Sequence, residues 1–273
     1  MIQKNIFSLE DKIIIVTGGT GVLGGQFVKA IVEAGGTAII IGQNEERGNL
    51  QADEINKNSG KALFLKANVL DENDLLVAKN IIIGKYGRID GLVNAAGGNV
   101  PEGILASDAD VFNLNIEGMK KAMELNLWGT IIPNQVFAPS LALTGNGSII
   151  NISSVASKRA LTRVLGYAMG KASIDYYTKW FAVEMANRMK DTIRINSISP
   201  GFFLSEQNRT LLIKPDGSNS ERAELILKQT PFKRMGNPEE LAGALVWLLS
   251  DASKFVTGMD IVIDGGFSIN SGV

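Results

Sequence analysis

The chain has 273 residues, 45% of them hydrophobic, and its 27 basic side chains nearly balance its 28 acidic ones. It contains neither cysteine nor histidine, which excludes disulfide frameworks, thiol nucleophiles, Ser-His-Asp triads and the usual zinc sites. We therefore expect no metal site, and proton transfer near neutral pH must use Tyr, Lys, Asp or Glu. The net charge of −1 and the absence of a basic arm argue against a nucleic-acid partner.

The chain is long enough for one large α/β domain, and no repeat or linker marks a boundary within residues 1–273. The N-terminus lacks the apolar run of a signal peptide. The longest apolar stretches, such as residues 244–249, are far too short to span a membrane. We therefore expect a single-domain cytoplasmic protein with no membrane segment.

Seven short apolar runs without alternation are typical of strands buried on both faces of a parallel sheet. The segments between them carry apolar residues at helical spacing, which predicts crossover helices and βαβ units. The predicted fold is α/β, a doubly wound seven-stranded parallel sheet with helices on both faces. The predicted strands are residues 13–16, 38–41, 63–65, 89–93, 148–152, 193–198 and 261–263.

The first predicted strand runs directly into a glycine-rich turn and then into a helix. Gly19, Gly21 and Gly24 match the spacing of a dinucleotide-binding turn in the strand–turn–helix context that it requires. Glycines let the backbone approach a pyrophosphate, whose charge is stabilised by the N-terminus of the following helix. A turn without a ligand is the alternative, but the context favours nucleotide binding.

The second predicted strand ends at Gly42, Gln43 and Asn44. An acidic residue here would bind the ribose of NAD, and a basic residue would bind the extra phosphate of NADP, but neither is present. Arg47 could reach a phosphate or could be a solvent-exposed helix residue. The choice between NAD and NADP stays open, and the lack of a basic residue at the turn slightly favours NAD.

Tyr167 and Lys171 open a helix predicted to run to about Met189, and they lie one turn apart on the same face. A neighbouring ammonium lowers the pKa of a tyrosine from about 10, which provides an acid–base group without histidine. Ser154 follows a predicted strand and Asn126 lies in a helical stretch. Ligands of a doubly wound sheet bind at the carboxyl ends of its strands, so these residues are candidates for one site.

With these motifs in this order, the sequence resembles the short-chain dehydrogenase/reductase superfamily over essentially its whole length. The resemblance implies a single-domain Rossmann fold and hydride transfer between a substrate and NAD or NADP. It also implies a catalytic tetrad of Asn126, Ser154, Tyr167 and Lys171.

The resemblance implies a role for each tetrad member. Tyr167 would donate a proton to a carbonyl or remove it in reverse, and Ser154 would hydrogen-bond the substrate oxygen. Lys171 would bind the nicotinamide ribose and lower the pKa of Tyr167, while Asn126 would hold a water in a proton relay. The residues expected along the cofactor are Gly18, Thr20, Gly21, Val22, Leu23, Gly24, Gln43, Asn44, Asn68, Val69, Asn94, Ala95, Ala96, Gly97, Tyr167, Lys171, Pro200, Gly201 and Phe203.

Three positions depart from the usual motifs of the superfamily. Val22 stands where its short branch has glycine, so the turn reads TGxxGxxG, which is more usual in a longer epimerase-like branch. Ala95 replaces the second asparagine of NNAG, and Asn68 replaces an aspartate that contacts adenine. An amide can still hydrogen-bond the amino group of adenine.

The segments expected to cover the substrate are basic although the whole chain is nearly neutral. Arginine binds carboxylates bidentately, so we hypothesise that Arg163 or Arg209 holds a substrate carboxylate. The alternative for each basic residue is a solubilising loop charge. The candidate substrate residues are Ser154, Arg163, Gln207, Asn208 and Arg209, and the other basic residues of these loops are Lys158, Arg159 and Lys214.

Within the superfamily, the segments TGGTGVLGG, NAAGGN and PGFFLSEQNR resemble the sugar-acid subgroup of D-mannonate oxidoreductases, also called fructuronate reductases. This implies interconversion of D-fructuronate and D-mannonate. The alternatives are gluconate-type or deoxygluconate dehydrogenases, 3-oxoacyl-carrier reductases and neutral polyol dehydrogenases. A non-catalytic nucleotide-binding protein or an epimerase is a further alternative.

Residues 202–230 are expected to form a substrate lid, as a pair of helices interrupted at residues 215–217. By resemblance we also expect a homotetramer, paired through the helices that carry Asn126 and Tyr167 and through the final strand. Trp247 and Phe267 are candidates for that interface, although core packing also suits Trp247.

Overall fold

The computed structural model describes residues 5–204 and 212–272. In these ranges seven parallel strands form one sheet in the order β3-β2-β1-β4-β5-β6-β7. The chain starts near the centre of the sheet, builds outward to β3 and then crosses back to β4, which is the predicted doubly wound topology. The strands are β1 (Ile13–Thr17), β2 (Thr37–Gly42), β3 (Ala62–Lys66), β4 (Gly91–Asn94), β5 (Gly147–Ile152), β6 (Ile193–Pro200) and β7 (Asp260–Ile263).

Helices cover both faces of this sheet. The α-helices in the described ranges are α1 (Val22–Glu33), α2 (Glu45–Lys57), α3 (Glu72–Tyr86), α4 (Ile116–Met123), α5 (Gly129–Ala142), α6 (Leu165–Met189), α7 (Glu221–Gln229) and α8 (Ala242–Leu249). None of the helices in these ranges is long and apolar enough to cross a membrane.

The start of α1 differs from the starts of α2, α3 and α7. Asn44, Asp71 and Ser220 cap the latter three helices, because each side chain accepts a hydrogen bond from a backbone N–H of the first turn. Gly21 precedes α1 and has no side chain that could do so, and the first turn of α1 carries no acidic residue. The N–H groups at the start of α1 are therefore available to an external acceptor.

Successive side chains of β1 belong to different hydrophobic cores. Ile14 belongs to a cluster that includes Phe27 of α1, whereas Ile15 belongs to a cluster that includes Phe137 of α5 and Phe181 of α6. Burial of both faces explains why the strand sequences show apolar runs instead of an alternation of polar and apolar residues.

Of the segment 202–230, for which a pair of helices is predicted, the structure describes residues 202–204 and 212–230. Residues 215–217 lie in a turn and α7 follows it, while the segment 205–211 lies outside the described residues. Trp247 packs against the core beside α1, and Phe267 makes an edge-to-face contact with Phe202. Both aromatic side chains thus have partners within the chain.

A buried arginine ties β6 to the end of α8. Arg194 is 4% exposed, and its terminal nitrogens donate to the carbonyl oxygens of Leu248, Ser250 and Ser253 at 2.9, 3.2 and 3.1 Å. These carbonyls lie at or just after the C-terminal turn of α8, where intrahelical donors run out. A cation at this end also interacts favourably with the helix dipole.

We expect Arg194→Met to lower the free energy of unfolding by about 3 kcal/mol, because buried carbonyl groups lose their donor. Urea denaturation followed by circular dichroism measures this change. The matched control is Arg188→Met on α6, whose side chain is 74% exposed and pairs with Glu184. That surface pair contributes little, so an equal loss in the two variants would contradict the structural role of Arg194.

Candidate active site

Two adjoining cavities open where the carboxyl ends of the central strands meet. The glycine groove, about 450 Å³, is lined by the turn after β1 and by the ends of β2 and β4. The tyrosine cavity, about 470 Å³, is lined by Ser154, Tyr167 and Lys171. Ala95 and Gly97 line both cavities, so a ligand that extends from the groove reaches the tyrosine.

The glycine groove fits a dinucleotide. A Cβ atom on Gly24 would lie 2.1 Å from the carbonyl oxygen of Gly18, so only glycine lets α1 approach the turn this closely. The uncapped N-terminus of α1 then faces the groove, where its N–H groups and dipole favour a phosphate.

Most of the residues predicted to bind the cofactor line one of these two cavities. Asn68 lines neither cavity, but its Oδ1 accepts a hydrogen bond at 3.3 Å from Nε2 of Gln43, which lines the glycine groove. The sequence leaves open whether Arg47 faces a phosphate or solvent. In the structure, Arg47 lines the glycine groove. Predicted residues in the glycine groove are Gly18, Thr20, Gly21, Val22, Leu23, Gly24, Gln43, Asn44, Val69, Ala95, Ala96 and Gly97, and those in the tyrosine cavity are Tyr167, Lys171, Pro200, Gly201 and Phe203.

Asn94 is placed differently from the other predicted cofactor residues. Its side chain is fully buried, and Nδ2 donates to the Oδ1 atoms of Asn134 and Asn151 at 2.8 and 2.9 Å. Nδ2 of Asn151 in turn donates to Oγ1 of Thr178 at 2.9 Å. This polar network joins β4, β5, α5 and α6, so the side chain of Asn94 supports the strand ends from within the core.

Three of the predicted tetrad residues line the tyrosine cavity together. Ser154 follows β5, whereas Tyr167 and Lys171 lie on the first two turns of α6. The hydroxyl of Ser154 lies near enough to the phenol of Tyr167 to act against the rise in its pKa. Nζ of Lys171 lies 5.7 Å from the centre of the Tyr167 ring and donates to the carbonyl oxygen of Ile152 at 2.7 Å.

Burial dominates the titration of both α6 residues. It raises the pKa of Tyr167, against the opposing hydrogen bond from Ser154. It lowers the pKa of Lys171 to about 8, against the opposing charge of Asp175. The expectation that Lys171 leaves Tyr167 with a lowered pKa is wrong for this structure, because desolvation outweighs the other effects. A neutral phenol beside a lysine that titrates near pH 8 is suited to donating a proton.

Asn126 lies in an irregular turn that the sequence did not predict. Residues Glu124–Trp128 between α4 and α5 are π-helical, a feature frequent at functional sites. The buried amide of Asn126 donates to the carbonyl oxygen of Gly98 at 2.8 Å and accepts from its N–H at 3.0 Å. A Cβ on Gly97 (φ 154°) would lie 2.7 Å from Oδ1 of Asn126 and 3.2 Å from Nζ of Lys171. Asn126 and Lys171 therefore flank the same glycine.

Two of the basic side chains before Tyr167 are held by the protein itself. Nζ of Lys158 pairs with the carboxylates of Asp175 and Asp260. Arg159 donates to the carbonyl oxygens of Ser268 and Asn270 at 3.2 and 3.1 Å. The basic character of this loop therefore does not translate directly into positive charge in the tyrosine cavity.

Two arginines do line the tyrosine cavity, Arg163 and Arg222. Nε of Arg163 donates to the carbonyl oxygen of Leu105 at 2.8 Å, which leaves its terminal nitrogens to face other groups. Burial and the positive charge of Arg163 lower the pKa of Arg222, so the two guanidinium groups are close enough to repel. Within residues 5–204 and 212–272, no carboxylate forms an ion pair with either arginine.

Sequence reasoning missed Arg222, since a charged residue in the first turn of a capped helix is usually solvent-exposed. The one sequence signal for Arg222 is that it follows the turn at residues 215–217, within the segment expected to cover the substrate. The remaining substrate candidates, Gln207, Asn208 and Arg209, lie outside the described residues.

Comparison with known proteins agrees with this geometry. A family model described as enoyl-(acyl carrier protein) reductase matches residues 21–268. The uncharacterized oxidoreductase UxuB of Bacillus subtilis is 37% identical over 275 residues, covering 97% of this chain and 98% of that protein.

Two solved structures are similar over nearly their full lengths. One, from Haemophilus influenza with bound NAD, is provisionally assigned as a D-mannonate oxidoreductase; it is 37% identical with a TM-score of 0.90, covering 98% of this chain and 100% of that one. The other is a gluconate 5-dehydrogenase from Burkholderia cenocepacia in complex with NADP and tartrate; it is 29% identical with a TM-score of 0.85, covering 96% of this chain and 97% of that one.

The doubly wound sheet, the dinucleotide-fitting turn and these full-length matches agree with one another. The chain therefore belongs to the short-chain dehydrogenase/reductase family, the nicotinamide-dependent oxidoreductases of alcohol and ketone substrates.

Proposed function

We propose that this oxidoreductase interconverts a sugar acid and its keto form, with D-fructuronate and D-mannonate as the substrate pair. The observation that best supports an acidic substrate is the presence of two guanidinium groups, those of Arg163 and Arg222, on the wall of the cavity that contains Tyr167. Two partly buried like charges are costly to hold together, and a carboxylate between them would offset that cost. The likeness to proteins named for D-mannonate and gluconate supports the same substrate class.

NAD or NADP bound in the glycine groove supplies or accepts the hydride. The N-terminus of α1 would hold its phosphates, and Lys171 would hold the ribose beside the nicotinamide. Apolar side chains of the tyrosine cavity, including Ile104, Leu161 and Val164, exclude water from the reacting atoms.

In the direction of reduction, Tyr167 donates its phenolic proton to the carbonyl oxygen of the substrate. Ser154 hydrogen-bonds both the phenol and that oxygen, and so stabilises the charge that develops there. The ammonium of Lys171 then stabilises the phenolate. Asn126 flanks Gly97 together with Lys171. Its proposed role is to hold a water molecule, from which a proton returns to Tyr167 through Lys171.

Reduction of another carbonyl compound is the alternative, for example by a gluconate-type or deoxygluconate dehydrogenase or a 3-oxoacyl-carrier reductase. The apolar wall of the tyrosine cavity and the matched family model favour an acyl substrate. An acyl chain, however, would leave the two arginines without a counter-charge. The two guanidinium groups therefore favour an acidic sugar over an acyl chain as the substrate.

We further propose that residues 202–230 close over the substrate as a lid, because Phe202, Phe203, Leu212 and Arg222 line the tyrosine cavity. We also propose a homotetramer paired through the faces of the helices that carry the tetrad. Trp128, Tyr176 and Trp180 on these helices are exposed.

The first test is a spectrophotometric screen of hexuronates and aldonates with both reduced and oxidised NAD and NADP. We expect turnover of a hexuronate, and a loss of about 10³-fold in kcat for Tyr167→Phe, because the proton donor is removed. Absence of hexuronate turnover with either cofactor would reject the substrate class. A near wild-type rate in the variant would reject the proton-transfer role.

Removal of either arginine should weaken substrate binding selectively. We expect Arg163→Ala and Arg222→Ala each to raise KM for the hexuronate about 10- to 100-fold, because a charge-assisted hydrogen bond is lost, while KM for the cofactor is unchanged. Arg159→Ala is the matched control from the same loop. Unchanged hexuronate KM in both cavity variants would exclude these residues as the carboxylate site.

The rate of reduction should fall as pH rises through about 8, because Lys171 loses its charge there. Tyr167 has a raised pKa and stays protonated over this range. Profiles of kcat/KM between pH 6 and 10 measure the effect. The activity that remains in Lys171→Arg should not show this fall, since a guanidinium does not titrate there. A wild-type rate that is constant across this interval would contradict the proposed role of the lysine.

A further inference from the structure

Residues 152–154 at the end of β5 are held one by one by side chains of α6. Tyr167, Lys171 and Asp175 recur every four residues along this helix, so they share one face. Each faces a different residue of the strand end. Lys171 hydrogen-bonds the carbonyl oxygen of Ile152, Asp175 hydrogen-bonds the hydroxyl of Ser153, and Tyr167 lies beside the hydroxyl of Ser154.

The carboxylate of Asp175 is fixed on both of its oxygen atoms. Oδ1 accepts from Oγ of Ser153 at 2.5 Å, and Oδ2 pairs with the ammonium of Lys158. Lys158 also pairs with Oδ2 of Asp260 at 2.9 Å, and Oδ1 of Asp260 accepts from two serine hydroxyls of β6. The side chains of Asp175 and Asp260 are each 13% exposed, so solvent screens this network weakly.

The network places negative charge next to Lys171. Asp175 is one helical turn from Lys171, and its charge opposes the effect of burial on that lysine. Among the described residues, the charged and titratable groups that share the cavity with Lys171 are Tyr167, Arg163 and Arg222. Asp175 acts on Lys171 directly, and Lys158 and Asp260 belong to the network on Asp175.

We propose that Asp175 is a positioning residue, which holds the strand end that carries Ser154 against α6 and keeps the ammonium of Lys171 charged. The inference rests on the roles proposed above for Ser154 and Lys171. An asparagine could still accept the hydrogen bond from Ser153, but it would neither pair with Lys158 as an ion nor stabilise a positive charge on Lys171. The contribution of Asp175 therefore has a geometric part and an electrostatic part, which different variants separate.

Three variants divide these parts. Asp175→Asn should lower kcat for reduction about 10-fold. It should also move the high-pH limb of the pH–rate profile, where the rate falls, to lower pH by roughly 0.5 to 1 unit, because a nearby carboxylate is neutralised. Asp175→Glu should restore the position of the limb. Ser153→Ala removes the hydroxyl but keeps the charge, so kcat should fall while the limb stays in place. Asp260→Asn is the matched control, a carboxylate on the same Lys158 that does not contact the strand end.

A second readout uses the cofactor-free protein and needs no activity. Lysine labelled with ¹³C at Cε reports the titration of Lys171 by NMR, with Lys171→Arg used to assign its signal. The midpoint should fall in Asp175→Asn by the same interval as the kinetic limb. The midpoint in Asp260→Asn should stay within about 0.3 unit of the wild type, because Asp175 is the carboxylate whose charge acts on Lys171.

An unchanged midpoint in Asp175→Asn, or an equal shift in Asp260→Asn, would overturn the proposal. Loss of stability in urea without a change in the limb or the midpoint would also overturn it, since Asp175 would then be only structural. Failure of the proposed function is distinguishable. A wild-type enzyme that turns over no hexuronate, but whose Lys171 midpoint still depends on Asp175, would reject the substrate and leave the positioning role in place.

Discussion

The site is organised around an ammonium that must be buried and yet remain charged. Lys171 is 4% exposed beside the end of the central strand β5, and burial lowers its pKa to about 8. The carbonyl oxygen of Ile152 and the charge of Asp175 offset part of that cost. In a chain without histidine, we propose that the charge of this lysine stabilises the phenolate of Tyr167 near neutral pH. The proposed proton transfer therefore depends on how well the charge of this one lysine is compensated.

The parallel sheet makes this arrangement achievable. Since all strands point the same way, the ends of β1, β4, β5 and β6 lie at one edge, and the loops that follow them supply the walls of both cavities. Side chains that are far apart in the chain, such as Asn126 and Lys171, then flank the same glycine at position 97. The buried network of Asn94, Asn134 and Asn151 joins the ends of β4 and β5 to α5 within the core.

The distribution of charge follows a similar logic. Although the net charge is only −1, the basic residues near the site occur in two different electrostatic environments. Lys158 is neutralised within the protein by Asp175 and Asp260, which rigidifies the wall of the site. Arg163 and Arg222 line the tyrosine cavity, and no carboxylate among the described residues forms an ion pair with either of them. Composition alone cannot tell these two uses of a basic residue apart, because both occur in loops near the same helix.

The amino-acid sequence by itself determined the fold and pointed to the four residues proposed as the tetrad. Apolar runs predict strands, the glycine spacing predicts the phosphate-binding turn, and the four-residue interval places Tyr167 and Lys171 on one helix face, because these patterns depend on local geometry. Only the tertiary structure decided the π-helical turn at Asn126, the core position of Asn94, the raised pKa of Tyr167 and the presence of Arg163 and Arg222 on one cavity wall. Each of these depends on burial or on contacts between segments distant in sequence, and neither leaves a periodic signal in the chain.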